Sequence, residues 1–376
     1  MEIYLDNAAT TRVCTEAADI AYKVMTDCYG NPSSTHTKGR DAKAYLDTAR
    51  AQIASALGCS ASEVYFTSCG SESDVWAITR GAESAARRAR HIISSAVEHD
   101  AVRKTLEDLE GRGFEVTYLS PEKDGSVSAD AVKAALREDT ILVTLMMVNN
   151  ETGGITDIAA IAKMLKGCGS KALLHTDAVQ GFMKVPFSAK KLGADMISIS
   201  GHKIHAPKGI GALYIKTGVK IKPLIRGGAQ EGGMRAGTEA MPQIAAFGKA
   251  AEIAFSGMKD NCDTMASLRA LAMSTICADI PEAQIIGGGT PHILSVSLPG
   301  WRSEVLMNFL EAEGIYVSRS SACKKGGRSH VLEAMRLPAQ VIDGAIRVSF
   351  SRYNTEDDVL ALCSALKRAH DTLAHR

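Results

Sequence analysis

The run Ile141-Leu142-Val143-Thr144-Leu145-Met146-Met147-Val148 is the longest apolar stretch of the chain, and its length decides how it is read. A bilayer-spanning helix takes roughly twenty residues, so this run is a strand. Similar β-rich runs recur on either side of it: Glu63 to Thr67, His91 to Ile93, Phe114 to Leu119, Ala172 to His175, Met196 to Ser200 and Gly211 to Ile215. Helical stretches lie between them. Leu46, Ala49, Ile53 and Leu57, for example, fall at helical spacing and stop at Gly58, a residue suited to a left-handed helix end. Strand and helix in alternation predict an α/β fold with a largely parallel sheet.

Beyond about residue 255 the pattern changes. His292 to Leu298, Gly314 to Ser318 and Ala345 to Phe350 read as strands and Ser303 to Glu313 as a helix, which predicts a smaller second domain. The last helix has Thr355 as its cap with Asp358 three residues on, and Val359, Leu362, Cys363 and Leu366 form one apolar stripe. Cys363 therefore belongs to the packing.

The 376 residues hold 43 Lys and Arg against 42 Asp and Glu, a net charge of +1 that excludes an electrostatic nucleic-acid binder and a polybasic membrane anchor. With 45% hydrophobic and 23% charged residues, the chain has ample core. Met1 to Asp6 carry neither the basic region nor the apolar core of a secretion signal, so a cytoplasmic setting is expected. Nine cysteines without CxxC spacing indicate neither a disulfide framework nor a zinc knuckle.

Chemistry gathers at two strand ends. Ser198-Ile199-Ser200-Gly201-His202-Lys203 runs from a strand into a glycine-containing loop, and His175-Thr176-Asp177-Ala178-Val179-Gln180 closes another strand. If the two strands are neighbours, an amine, a carboxylate and an amide converge at a sheet edge, where α/β active sites form. That trio suits pyridoxal phosphate: a lysine to hold the aldehyde and a buried carboxylate to keep the pyridine nitrogen protonated. A phosphate cradle is available in Thr67-Ser68-Cys69-Gly70-Ser71-Glu72-Ser73, a turn between a strand and a helix whose backbone N–H groups and Ser71 hydroxyl point to an anion site.

With these residues in view the chain resembles the cysteine desulfurases, the NifS-like branch of the fold-type-I pyridoxal-phosphate enzymes and class-V aminotransferases. The likeness runs over nearly the whole sequence through Tyr4 to Thr11, Gly30-Asn31-Pro32-Ser33-Ser34, Glu98-His99, Val148 to Gly153, Asp177 to Gln180, Ser200 to Lys203 and Arg235-Ala236-Gly237-Thr238. It implies a large domain, residues 16–255, with a seven-stranded, mainly parallel sheet. It also implies a smaller α/β domain, residues 256–376, and an N-terminal arm, residues 1–15, packed with the latter.

The resemblance further implies that Lys203 holds the cofactor, Asp177 pairs with the ring nitrogen, Gln180 bonds the ring hydroxyl and His99 stacks on the ring. Gly70, Ser71, Ser200 and His202 would bind the phosphate, and Thr238 would reach the same phosphate from a second subunit of a homodimer. Asn150 would lie beside ring and substrate, and Arg347 would clamp the substrate carboxylate with its fork of donors. Asn31 is a further substrate candidate, although Asn also shapes turns.

Cys323 stands in the polar loop Ser318 to Leu332, with Lys324, Lys325, Arg319 and Arg328 nearby to favour its thiolate. In the implied reaction Lys203 moves the α-proton of L-cysteine and the Cys323 thiolate takes the sulfur. L-Alanine is left, with a persulfide that passes sulfur to an acceptor protein, as in iron–sulfur cluster assembly. Selenocysteine lyase or another carbon–sulfur lyase is the alternative. A remoter one is a metallohydrolase using His175, Asp177, His202 and His205, with Glu98 or Glu151 as base. Departures from the family pattern are Cys69 at a glycine position of the phosphate turn, the short basic stretch Lys324 to Arg328, His205-Ala206-Pro207, and Glu239-Ala240 after Thr238.

Overall fold

In the computed structural model, which describes residues 2–85, 89–319 and 327–373, the seven expected strands form one sheet. They are β2 (Val64–Thr67), β3 (His91–Ser95), β4 (Glu115–Leu119), β5 (Thr140–Met146), β6 (Leu173–Asp177), β7 (Met196–Ser200) and β8 (Gly211–Ile215). Their spatial order is β2-β8-β7-β6-β5-β3-β4. The pairs β3–β4, β3–β5, β5–β6 and β6–β7 are parallel, while β8 runs antiparallel to both β7 and β2. The α/β class with a mainly parallel sheet is therefore correct.

The inner strands are covered on both faces, with every residue of β3, β5, β7 and β8 buried, whereas the edge strand β4 leaves Glu115 and Tyr118 exposed. Ile92, Leu142, Met196 and Leu213 join Trp76 and Leu106 in one buried cluster. The alternate residues Ile93, Val143 and Ile197 join Ile53 and Phe247 in another. Each such buried side chain contributes roughly 1.5–3 kcal/mol. The helix carrying Ile53, Thr37–Leu57, ends at Gly58 with φ +66°, a conformation open to glycine.

A separate cluster joins Ile3 and Leu5 with residues from Met265 to Ala369. Its antiparallel sheet has the order β12-β13-β10-β9, built from β9 (Gln284–Ile286), β10 (Ile293–Ser297), β12 (Ser318–Arg319) and β13 (Ala345–Ser349). The single strand expected over Gly314 to Ser318 is divided. β11 (Ile315–Tyr316) pairs instead with β1 (Ile3–Tyr4), in parallel. Cys363 is buried in this cluster, and the helix Glu356–Thr372 starts with the Thr355–Asp358 capping box.

Residues after β1 run from the small sheet toward the large one. Ser349 donates to Leu5 O at 2.7 Å, and Thr11 N donates to His202 O at 2.9 Å. The N-terminal segment thus reaches the ends of both β13 and β7.

Candidate active site

Beyond the carboxyl ends of β5, β6 and β7 lies a cavity of about 340 Å³, the place where open α/β sheets bind ligands. Asp177 ends β6, Ser200 ends β7, and one turn of 3-10 helix, Gly201–Lys203, brings Lys203 to the cavity wall. Ala8, Gly70, Ser71, His99, Asn150, Gln180, His202 and Arg347 line it as well. Residues far apart in sequence therefore converge, as their placement at strand ends predicts.

Lys203 is held by the N-terminal segment: its Nζ donates to Ala8 O at 2.6 Å and to Ala9 O at 2.8 Å. Burial, then the Arg347 charge, pushes its pKa down to about 7, so the amine is available as a base near neutral pH. Asp177 Oδ1 accepts from Val179 N at 2.9 Å, and burial raises its pKa. Behind it stands Asp74, which the sequence reading did not single out. Burial and the neighbouring Asp177 raise Asp74 well above the carboxylate range. His175 is neutral between Thr144 Oγ1 and Ser198 Oγ, at 2.8 and 2.9 Å, because burial drops its pKa to about 3.

The phosphate turn is built by hydroxyl bonds inside Thr67–Ser73. Thr67 Oγ1 and Ser73 Oγ lie 2.8 Å apart, and Ser73 N donates to Cys69 O at 3.2 Å. The sixteen-residue helix Gly70–Ala85 starts here and aims its free N–H groups at the cavity. A Cβ on Gly70 would come within 2.7 Å of Val179 Cγ2 and 3.4 Å of Ser200 Cβ, so glycine keeps the cradle open. Cys69 takes no left-handed conformation; among the described non-glycine residues Met183, His205, Glu231 and Arg336 do. A thiol at that position leaves the turn unstrained.

Among the described residues, two buried donors that line the cavity lack a partner: the Ser200 hydroxyl and Arg347 Nε. Unpaired polar groups in the interior are rare because each loses its hydration without return. The Ser200 hydroxyl beside the helix start fits a phosphate, and the lysine, carboxylate and cradle together fit pyridoxal phosphate. His202, with its pKa pushed down to about 4 mainly by burial, bonds Thr10 Oγ1 through Nδ1 at 3.2 Å. His99 caps the helix Asp100–Gly111, its Nδ1 accepting from Ala101 N at 3.1 Å. Asn149 shapes the loop holding Asn150: its Oδ1 accepts from Glu151 N and Thr152 N, both at 2.9 Å.

Asn31 and Thr238 are exposed and outside the cavity lining; Asn31 Oδ1 closes a turn by accepting from Ser33 N at 2.8 Å. Cys323 lies outside the described residues. His205 turns away to Arg12 O, 2.8 Å from its Nδ1. Among the described residues no three His, Cys, Asp or Glu side chains are grouped to hold a metal, and no helix is long and apolar enough to cross a membrane. The reading missed Asp74, Asp100 and His330, which also line the cavity. For Asp74 a signal existed: a carboxylate one turn into an otherwise apolar helix face.

The aminotransferase class-V family profile matches residues 3–362. A cysteine desulfurase named IscS from Methanosarcina thermophila is 43% identical over 95% of this chain and 89% of its own length. The chain belongs to the class-V aminotransferases, in their cysteine desulfurase branch. A solved NifS-like protein superposes on this desulfurase fold with a TM-score of 0.94 at 38% identity, covering 99% of this chain and all of the other. A solved SspA in complex with cysteine superposes with a TM-score of 0.82 at 32% identity, over 94% and 99% of the two chains. The desulfurase branch implies a pyridoxal-phosphate cofactor.

Proposed function

We propose that the chain draws sulfur from L-cysteine, releasing L-alanine and loading the sulfur on Cys323 as a persulfide for an acceptor protein. The observation that carries this reading is the convergence of a buried, deprotonable Lys203, Asp177 and the unpartnered Ser200 hydroxyl on one cavity. Lys203 would hold the pyridoxal-phosphate aldehyde, with Asp177 for the ring nitrogen, Gln180 for the ring hydroxyl and His99 for the ring face. Gly70, Ser71, Ser200 and His202 would hold the phosphate. When bound, the cofactor supplies an electron sink for the charge left on the substrate's α-carbon.

Arg347 and Asn150 orient the substrate, and Asn31, outside the cavity lining, is a further candidate contact. Lys203, whose pKa burial pushes down to about 7, would take the α-proton. The Cys323 thiolate then forms an S–S bond with the substrate sulfur as the C–S bond breaks. The electron pair of that bond stays with carbon and is protonated, ending in the methyl group of alanine. Splitting one difficult displacement into two steps is the gain of a covalent intermediate.

The same reading makes the enzyme a cytoplasmic homodimer in which exposed Thr238 reaches the partner's phosphate site. It divides the chain into an arm (1–15), a large domain (16–255) and a small domain (256–376) that carries Cys323. The purified protein should be yellow, and borohydride should fix the chromophore on Lys203. Cys323→Ser should keep the colour and lose sulfide release from cysteine; full activity in that variant would refute the persulfide step.

A further inference from the structure

We infer that His292, a buried histidine of the small domain, is a positioning residue that sets which end of the Gln180 amide faces the active site. An amide side chain offers an oxygen on one side and two N–H donors on the other, and a half-turn about its last bond exchanges them. Gln180, 5% exposed, can present only one of these to the cavity.

The choice is made by a chain of four groups. Gln180 Nε2 lies 2.8 Å from Ala8 O, a carbonyl that can only accept, so this end is the donor. Gln180 Oε1 is then left 3.2 Å from His292 Nε2, which must carry the proton. That tautomer leaves Nδ1 as an acceptor, and Thr290 Oγ1, 2.7 Å away, supplies a hydroxyl proton to it. Burial keeps the ring neutral, with the nearby Lys184, Arg347 and Lys203 charges acting in the same direction. The protonation pattern is assigned from these partners, and with the ring neutral no other pattern satisfies all four.

The backbone around His292 is fixed. Phe350 N donates to His292 O at 2.9 Å, and Thr290 N donates to Gly153 O at 3.0 Å. Gly153 has φ +73°, and a Cβ there would approach Thr290 Cγ2 to 2.7 Å, so glycine allows this close approach. The consequence reaches the reacting amine, because Ala8 O, which receives the Gln180 donor, also receives Lys203 Nζ at 2.6 Å. A flipped Gln180 would set oxygen against oxygen at Ala8 and turn an acceptor, not a donor, toward the ring hydroxyl site.

The inference rests on the proposal that Gln180 bonds the cofactor's ring hydroxyl, and the test separates the two. In apoprotein labelled with nitrogen-15 histidine, His292 should be the neutral Nε2–H tautomer; an Nδ1–H tautomer overturns the inference. In the holoenzyme, Gln180→Ala should shift the cofactor's absorption band and its pH midpoint. His292→Leu should shift both in the same direction and lower kcat by roughly three- to ten-fold, the worth of one lost hydrogen bond, with KM little changed. Added to Gln180→Ala it should have no further effect. His292→Gln, which places an N–H near the Nε2 position, should restore the wild-type band.

A wild-type spectrum in His292→Leu, or additive losses in the double variant, overturns the positioning role. A wild-type spectrum in Gln180→Ala overturns the reading of Gln180 itself. Should His292→Leu fail to fold, the tautomer and the spectrum of His292→Gln decide: an unrestored band in a folded His292→Gln protein counts against the inference.

Discussion

Arg347 Nη2 donates to Asp6 Oδ1 at 2.9 Å, an ion pair that ties β13 of the small sheet to the N-terminal segment beside Lys203. The guanidinium, 3% exposed, also donates from Nη1 to Asn150 O at 2.8 Å, while its Nε has no partner among the described residues. A substrate carboxylate would find one donor unused and another shared with a carboxylate already in place. A lysine at this position offers a point charge without the fork. Arg347→Lys should therefore lower kcat/KM for L-cysteine by roughly 10- to 100-fold, mainly through KM. Steady-state kinetics giving less than a two-fold change would remove Arg347 from the substrate clamp.

Ser200 offers a test in which stability and binding move in opposite directions. Its buried hydroxyl has no partner among the described residues, so in the apoprotein it bears a desolvation penalty on the order of 1–3 kcal/mol. Ser200→Ala removes that penalty and also removes a donor to the phosphate. The apoprotein should melt at the same or a higher temperature than wild type, while the holoenzyme should lose cofactor roughly ten-fold faster in dialysis. A variant that destabilises the apoprotein and holds cofactor normally would show that the hydroxyl serves the fold alone.

Residues whose local sequence dictates their structure were legible: the seven strands, the Gly58 stop and the Thr355 cap all follow from apolar runs and end signals. Lys203, Asp177 and Gln180 are legible because each ends or follows a strand, and strand ends of one sheet must meet on one side. What stayed hidden are contacts that only the tertiary fold creates. Asp6 sits in an unremarkable turn until β1 pairs with β11 and brings it to Arg347. His292 stands at the start of an apolar run, directly after Thr290-Pro291, and gains its meaning from Gln180, 112 positions away. The strand expected over Gly314 to Ser318 was too long because its two halves pair with different sheets.

The loop bearing Thr238 is anchored by Glu231, whose backbone is left-handed with φ +49° and whose carboxylate is buried. Arg50 grips it with Nη1 and Nη2, both at 2.7 Å, and Phe66 N adds a bond at 2.9 Å. Arg50→Met would leave this carboxylate buried with one donor, and removing one member of a buried pair costs on the order of 3 kcal/mol. The melting temperature should fall by several degrees. If Thr238 serves the partner's phosphate site, cofactor retention should fall as well; unchanged melting would show that the pair adds nothing to the fold.

Glu98 sets a pH dependence that can be isolated. Its side chain is buried, Oε1 accepts from Ser95 Oγ at 2.5 Å and Met146 N at 3.1 Å, and Oε2 has no partner among the described residues. Burial, helped by the Asp177 charge, raises its pKa from 4.5 to about 8. The folded protein thus binds a proton that the unfolded chain has released across this interval. Stability from Glu98 is complete below about pH 4.5 and is lost as pH rises to about 8. Glu98→Gln keeps an acceptor for Met146 N and cannot ionise, so the variant should lose less stability than wild type between pH 5 and 9. The difference should grow with pH to the order of a few kcal/mol. Melting curves of both proteins across that range decide it: parallel curves would mean that Glu98 carries its charge in the folded state at neutral pH.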